Sequence, residues 1–142
     1  MTETRFVILL ITNRNNHLMK IEKNISVKEL KSSFTRIYPY LNLRLYSQFH
    51  DHNEGSPKSQ EVEESVLLGS LNPQLKPGEI VISDSLTVDR LETIFKTKYG
   101  LSVQVFRKSG DQWLQTTSTD KWTLERQNDR GQEYDTFLSD AV

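Results

Sequence analysis

Two stretches of the chain spell the same helix-to-strand pattern, and this echo restricts the fold more than any other feature of the 142 residues. The first runs Ile25-Ser26-Val27-Lys28-Glu29-Leu30 through Phe34 and Tyr38 to Leu41, Leu43 and Leu45. The second runs Leu86-Thr87-Val88-Asp89-Arg90-Leu91 through Phe95 and Tyr99 to Leu101, Val103 and Val105. Val, Leu, Phe and Tyr recur at the same four places, three or four residues apart, which gives each segment one apolar helical stripe. The period then changes to two, the alternation of a half-buried strand.

The start and stop signals of both helices fit. Ser26 with Glu29 has the spacing of a capping box, and Ile25 can clasp Leu30 across it. Thr87 can cap the second helix, with Asp89 in its positively polarised first turn. Pro39 ends the first helix, and Gly100 suits a left-handed C-terminal position in the second. Strand-like runs precede each helix at Met19 to Lys23 and at Glu79 to Ser83. The expected fold is therefore α+β: two βαβ-type units forming a ferredoxin-like α/β sandwich, with an added C-terminal hairpin strand from Gln112 to Thr117. A β-grasp-like roll is the alternative. A turn at Ser109-Gly110 would set Phe106 across from Trp113 and Gln104 across from Gln115.

The remaining sequence divides around this unit. Residues 1–18 read as an N-terminal extension holding one more strand-like run, Arg5 to Thr12, and Met19 is an alternative natural start. Residues 19–124 make a single α/β domain, interrupted by a polar, mobile loop at 48–65. A short helix is expected to start near Ser118, Thr119 or Asp120 and to carry Trp122 and Leu124. Residues 125–142 read as an acidic, disordered tail with five acids against two arginines.

Most chemistry is excluded or unsupported. With no cysteine there is no disulfide, thiolate metal site or cysteine nucleophile, which suits a reducing cytoplasm. No apolar run approaches the ~20 residues that a membrane-spanning helix needs. The six glycines never cluster into a phosphate cradle. His50 and His52, with Asp51 and Glu54, are the only residues spaced like metal ligands, and a loop holds a third ligand poorly. A metal-dependent enzyme using that loop is thus the least favoured reading, and no cofactor is expected. The formal net charge of −1 supplies no global field for nucleic acid.

A surface remains. If both helices cover one side of the sheet, the other side presents Arg44, Tyr46, Gln104, Phe106 and Trp113, with Arg107 and Lys108 nearby. Exposed aromatics among polar groups suit a protein partner or self-association. Single-stranded nucleic acid is the alternative occupant, because aromatic side chains stack on bases. In the tail, Tyr134, Phe137 and Leu138 share a helical spacing that fits a partner's groove. The sequence therefore predicts a non-enzymatic cytoplasmic interaction module, binding through the sheet face and the acidic tail.

Overall fold

The computed structural model describes residues 16–47 and 60–140. The expected strand before residue 13, and His50 and His52, lie outside the described residues. The chain runs β1 (Asn16–Ile21), α1 (Val27–Ile37), β2 (Leu41–Tyr46), α2 (Leu68–Leu71), β3 (Gly78–Ser83), α3 (Val88–Tyr99), β4 (Ser102–Ser109), β5 (Gln112–Gln115) and α4 (Leu124–Asp140). A single 3₁₀ turn at Thr117–Thr119 precedes α4.

Local chemistry sets the helices as their sequences predict. The Glu29 N–H donates to Ser26 Oγ at 3.1 Å while the Ser26 N–H reaches Glu29 Oε1 at 3.4 Å, closing the capping box. Thr87 Oγ1 accepts the Arg90 N–H at 3.1 Å. Gly100 stands at φ +60° and ends α3, a conformation that glycine adopts without strain. All four recurrent pairs of the echo, Val27 and Val88, Leu30 and Leu91, Phe34 and Phe95, Tyr38 and Tyr99, are buried in one shared core.

The strand pairing differs from the expected single sheet. Among the described residues the strands form two antiparallel sheets, β1-β3 and β2-β4-β5, so the fold is α+β and a ferredoxin-like topology is not confirmed. The strands flanking each helix pair with the other unit. Met19 faces Ile80, its own counterpart in the echo. Arg44 likewise faces its counterpart Gln104. In both sheets the register is thus centred on a residue and its equivalent, the geometry of a two-fold contact made within one chain. Alternation along a strand shows which face is buried and says nothing of which strand lies beside it.

The hydrogen bonds that close each unit also match. In the first, the N–H groups of Val27 and Lys28 donate to the carbonyls of Val66 and Glu64 at 2.8 and 2.9 Å, and Leu68 donates to Ile25 at 2.9 Å. In the second, Val88 and Asp89 donate to Trp122 and Asp120 at 3.1 and 2.7 Å, and Leu124 donates to Leu86 at 2.8 Å. Two isolated bridges, Ser26 to Leu67 and Thr87 to Thr123, occupy equivalent places. These paired clasps make α2 and α4 equivalent at their first residues, Leu68 and Leu124.

The equivalence ends there, because α2 has four residues and α4 seventeen. The segment expected to be a disordered tail from residue 125 is this helix as far as Asp140. Its first residue, Leu124, is buried in the core, and beyond it the helix lies against β4 and β2 through polar and small residues, with Asn128 Oδ1 accepting the Tyr40 N–H at 2.9 Å. Gly131 sits so close that a Cβ there would lie 2.8 Å from Tyr40 Cβ and 3.4 Å from the Lys108 carbonyl oxygen. Gly131→Ala should therefore lower stability by about 1–3 kcal/mol through overpacking, although alanine is the better helix former by ~1 kcal/mol. Urea unfolding checks this, and a gain in midpoint would mean that α4 is not held at this distance.

Candidate functional site

The residues expected on an open sheet face are brought together, but most are not exposed. Tyr46, Gln104 and Phe106 are buried. Arg44 places its guanidinium carbon 4.0 Å from the Phe106 ring centroid, and its Nη1 lies 3.8 Å from Glu61 Oε1. Residues 60 to 62 run along the outer edge of β2, where the Val62 N–H donates to the Leu45 carbonyl at 2.8 Å. Burial, with the neighbouring Glu61 carboxylate, pushes the Tyr46 hydroxyl up to about 12, partly offset by Arg44. Tyr46 and Phe106 are thus packing residues, and the proposed anchors reduce to Trp113, which is half-buried.

The hairpin register is also shifted. Ser109 pairs with Gln112, so Gly110-Asp111 forms the turn, with Gly110 at φ +61°. Phe106 faces Gln115 and Trp113 faces Lys108, two residues from the expected pairing. Such a shift keeps every side chain on its own face, so the alternation cannot detect it.

Arg107 and Lys108 leave the expected sheet patch and hold α4 instead. The Arg107 Nη1 donates to Gln127 Oε1 at 2.8 Å. Gln127, fully buried, donates from Nε2 to the Thr119 carbonyl oxygen at 2.8 Å and to Thr119 Oγ1 at 2.9 Å. Two cations approach the Trp122 ring, Arg107 at 5.6 Å and Arg126 at 3.9 Å from its centroid. Burial, followed by the nearby Arg130 charge, moves the Arg107 pKa downward. Lys108 Nζ lies 3.5 Å from Asp135 Oδ1. None of these α4 anchors was evident from periodicity, because they are an amide, a glycine and charged groups.

Among the described residues, three of the six exposed large apolar side chains lie at the far end of α4, the others being Leu67, Val81 and Leu114. Phe137 is 66% exposed, Leu138 38% and Tyr134 37%. Leu138 and Tyr134 approach the hairpin turn, 3.3 and 3.7 Å from the position of a Cβ on Gly110. A shallow groove there is lined by Lys108, Gly110, Trp113, Asp135 and Leu138. A second groove, on the solvent side of the helix, is lined by Asp129, Gln132, Glu133, Thr136 and Phe137. The tail motif read from the sequence and Trp113 thus flank one ridge.

Among the described residues no group of three His, Asp or Glu side chains is placed to hold a metal ion, and no helix is long and apolar enough to cross a membrane. Comparison with protein-family models, with curated proteins and with solved structures gave no significant match.

Proposed function

We propose that the chain is a non-enzymatic protein-interaction module whose binding surface is the distal ridge of α4 together with the hairpin tip. The observation that carries this reading is the exposure of Phe137 on a helix that has no counterpart of similar length in the first unit. Equivalent segments share a packing role, so the thirteen-residue excess of α4 over α2 is where a separate role belongs. Trp113, Tyr134 and Leu138 supply flanking apolar area, and Asp129 and Glu133 stand on the rim, Glu133 with Arg130 3.9 Å away. The partner that fits is a protein, a second copy included, offering an apolar pocket rimmed by Lys or Arg. The nucleic-acid alternative is weakened because its stacking residues, Tyr46 and Phe106, are covered.

The test is affinity capture followed by measurement on the purified partner. Phe137→Glu should weaken binding at least tenfold, as loss of an aromatic anchor does, while leaving thermal unfolding within ~0.5 kcal/mol of wild type. Binding that is indifferent to this change would remove the ridge from consideration. Association with single-stranded RNA that collapses between low and moderate salt would favour the nucleic-acid alternative instead.

A further inference from the structure

The outer side of α1 carries a shallow groove of about 420 Å³, lined by Lys28, Lys31, Ser32, Arg36 and Glu64 with two further polar residues. Lys31 is already paired, its Nζ 3.2 Å from Glu64 Oε1. Lys28 and Arg36 are exposed, and among the described residues neither has an ion pair. Their equivalents on α3 are Asp89 and Thr97, so the shared packing role does not require these cations. The complement stands on α4. Glu125, Asp129, Glu133 and Phe137 follow at four-residue steps and form one exposed stripe along the helix. Among the described residues Glu125 and Asp129 have no ion pair, Glu133 has Arg130 at 3.9 Å, and Arg126 lies over the Trp122 ring. Lys28 to Arg36 and Glu125 to Glu133 are the same eight-residue step, about 12 Å of helix.

We infer that the partner of the α4 stripe is a second copy of this chain, whose α1 groove receives it antiparallel. The inference rests on the ridge reading in taking the outer face of α4 as the binding surface, and it names the occupant. In this register Arg36 meets Glu125 and Lys28 meets Glu133 at the two ends, while the Ser32 hydroxyl faces Asp129. Arg130 falls opposite Lys31, where the exposed Glu64 gives it an acid. One turn further, Phe137 reaches the start of α1, where Leu67, bridged to Ser26, is 44% exposed. A parallel docking matches the end charges equally well but carries Phe137 past Arg36 and away from Leu67, so the apolar contact selects the antiparallel one. Every copy presents both halves of the contact, which therefore needs no other protein. Exposed ion pairs contribute little singly and are screened by salt, so the association is weak and salt-sensitive.

Sedimentation of the full chain at rising concentration reads the contact. In low salt the average mass of wild type should climb above that of the monomer, and association should weaken at least tenfold between ~0.05 and ~0.5 M salt. Lys28→Glu with Arg36→Glu should weaken it at least tenfold, and so should Glu125→Lys with Glu133→Lys, because each sets like charges opposite one another. Mixed in equal amounts, the two double variants should associate as wild type does, since every charge again meets its opposite. Association that survives either reversal, or a mixture that stays monomeric, would overturn the contact. Should a reversal not fold, Lys28→Gln with Arg36→Gln takes its place, and association equal to that of wild type refutes the inference. Phe137→Glu separates this inference from the ridge reading. A wild type that is monomeric at every concentration, while Phe137 still governs capture of another protein, would sink the copy contact and leave the ridge standing. Association that ignores Phe137→Glu but follows the charge reversals would keep the copy contact and remove the ridge.

Discussion

Phe106→Ala is expected to lower stability by about 3–5 kcal/mol, the range for truncating a buried aromatic ring, although Phe106 lies outside the main apolar cluster. The ring is 4% exposed, its strand neighbours are Asn42 on β2 and Gln115 on β5, and the Arg44 guanidinium lies over it. Truncation opens a ring-sized void and leaves that cation without its aromatic face, so both a packing and a cation–π contribution are lost. Urea unfolding would show a lower midpoint with an unchanged slope. Trp113→Ala, made beside it, should cost less, because Trp113 is only half-buried. The pair separates two readings of the same sequence pattern. A surface anchor could be truncated with a loss below ~1 kcal/mol, and that outcome for Phe106 would restore the open-face reading.

The Phe106 pattern shows where sequence legibility stops. Strands reading Asn42-Leu43-Arg44-Leu45-Tyr46 and Val103-Gln104-Val105-Phe106 alternate as if one face met solvent. In the structure Gln104 and Ser102 are buried with Tyr46 and Phe106, so the polar members of the alternation do not mark an open face. The helices were legible because their signals are local: a capping box, an N-cap threonine, a left-handed glycine and a four-residue apolar stripe each act within a turn or two. Pairing of β1 with β3 and of β2 with β4 depends on contacts between units, which no local pattern encodes. The echo did encode it indirectly. Two equivalent units can satisfy each other's edges around a two-fold axis, and the pairing of Met19 with Ile80 and of Arg44 with Gln104 is that solution.

For the candidate site the balance was different. The spacing of Tyr134, Phe137 and Leu138 was readable as a helix face, and these are three of the exposed large apolar residues. What was not readable is that this helix is docked. A segment with five acids and few apolar residues looks like a solvated tail when its attachments are an amide, an asparagine and a glycine.

The attachment of α4 rests most heavily on Gln127, and Gln127→Leu is expected to lower stability by about 2–4 kcal/mol. The side chain is fully buried, accepts from Arg107 and donates twice to Thr119, so the same-sized leucine keeps the volume and deletes three hydrogen bonds. The Thr119 carbonyl keeps one donor, the Trp122 N–H at 2.9 Å, which limits the loss there. Arg107 fares worse: its other described contact is the Trp122 ring at 5.6 Å, and a partly buried guanidinium stripped of its acceptor carries most of the cost. A double-mutant cycle isolates this. Arg107→Ala and Gln127→Leu together should cost at least ~1 kcal/mol less than the sum of the two singles, because the second change removes a group the first has already orphaned. The damage should also be regional. Amide protection should fall across α4 and the 117–123 turn, while β1, β3 and the first clasp keep theirs. Strict additivity in the cycle, or uniform loss of protection across the chain, would show that Gln127 is one more core residue and that α4 is held by something else.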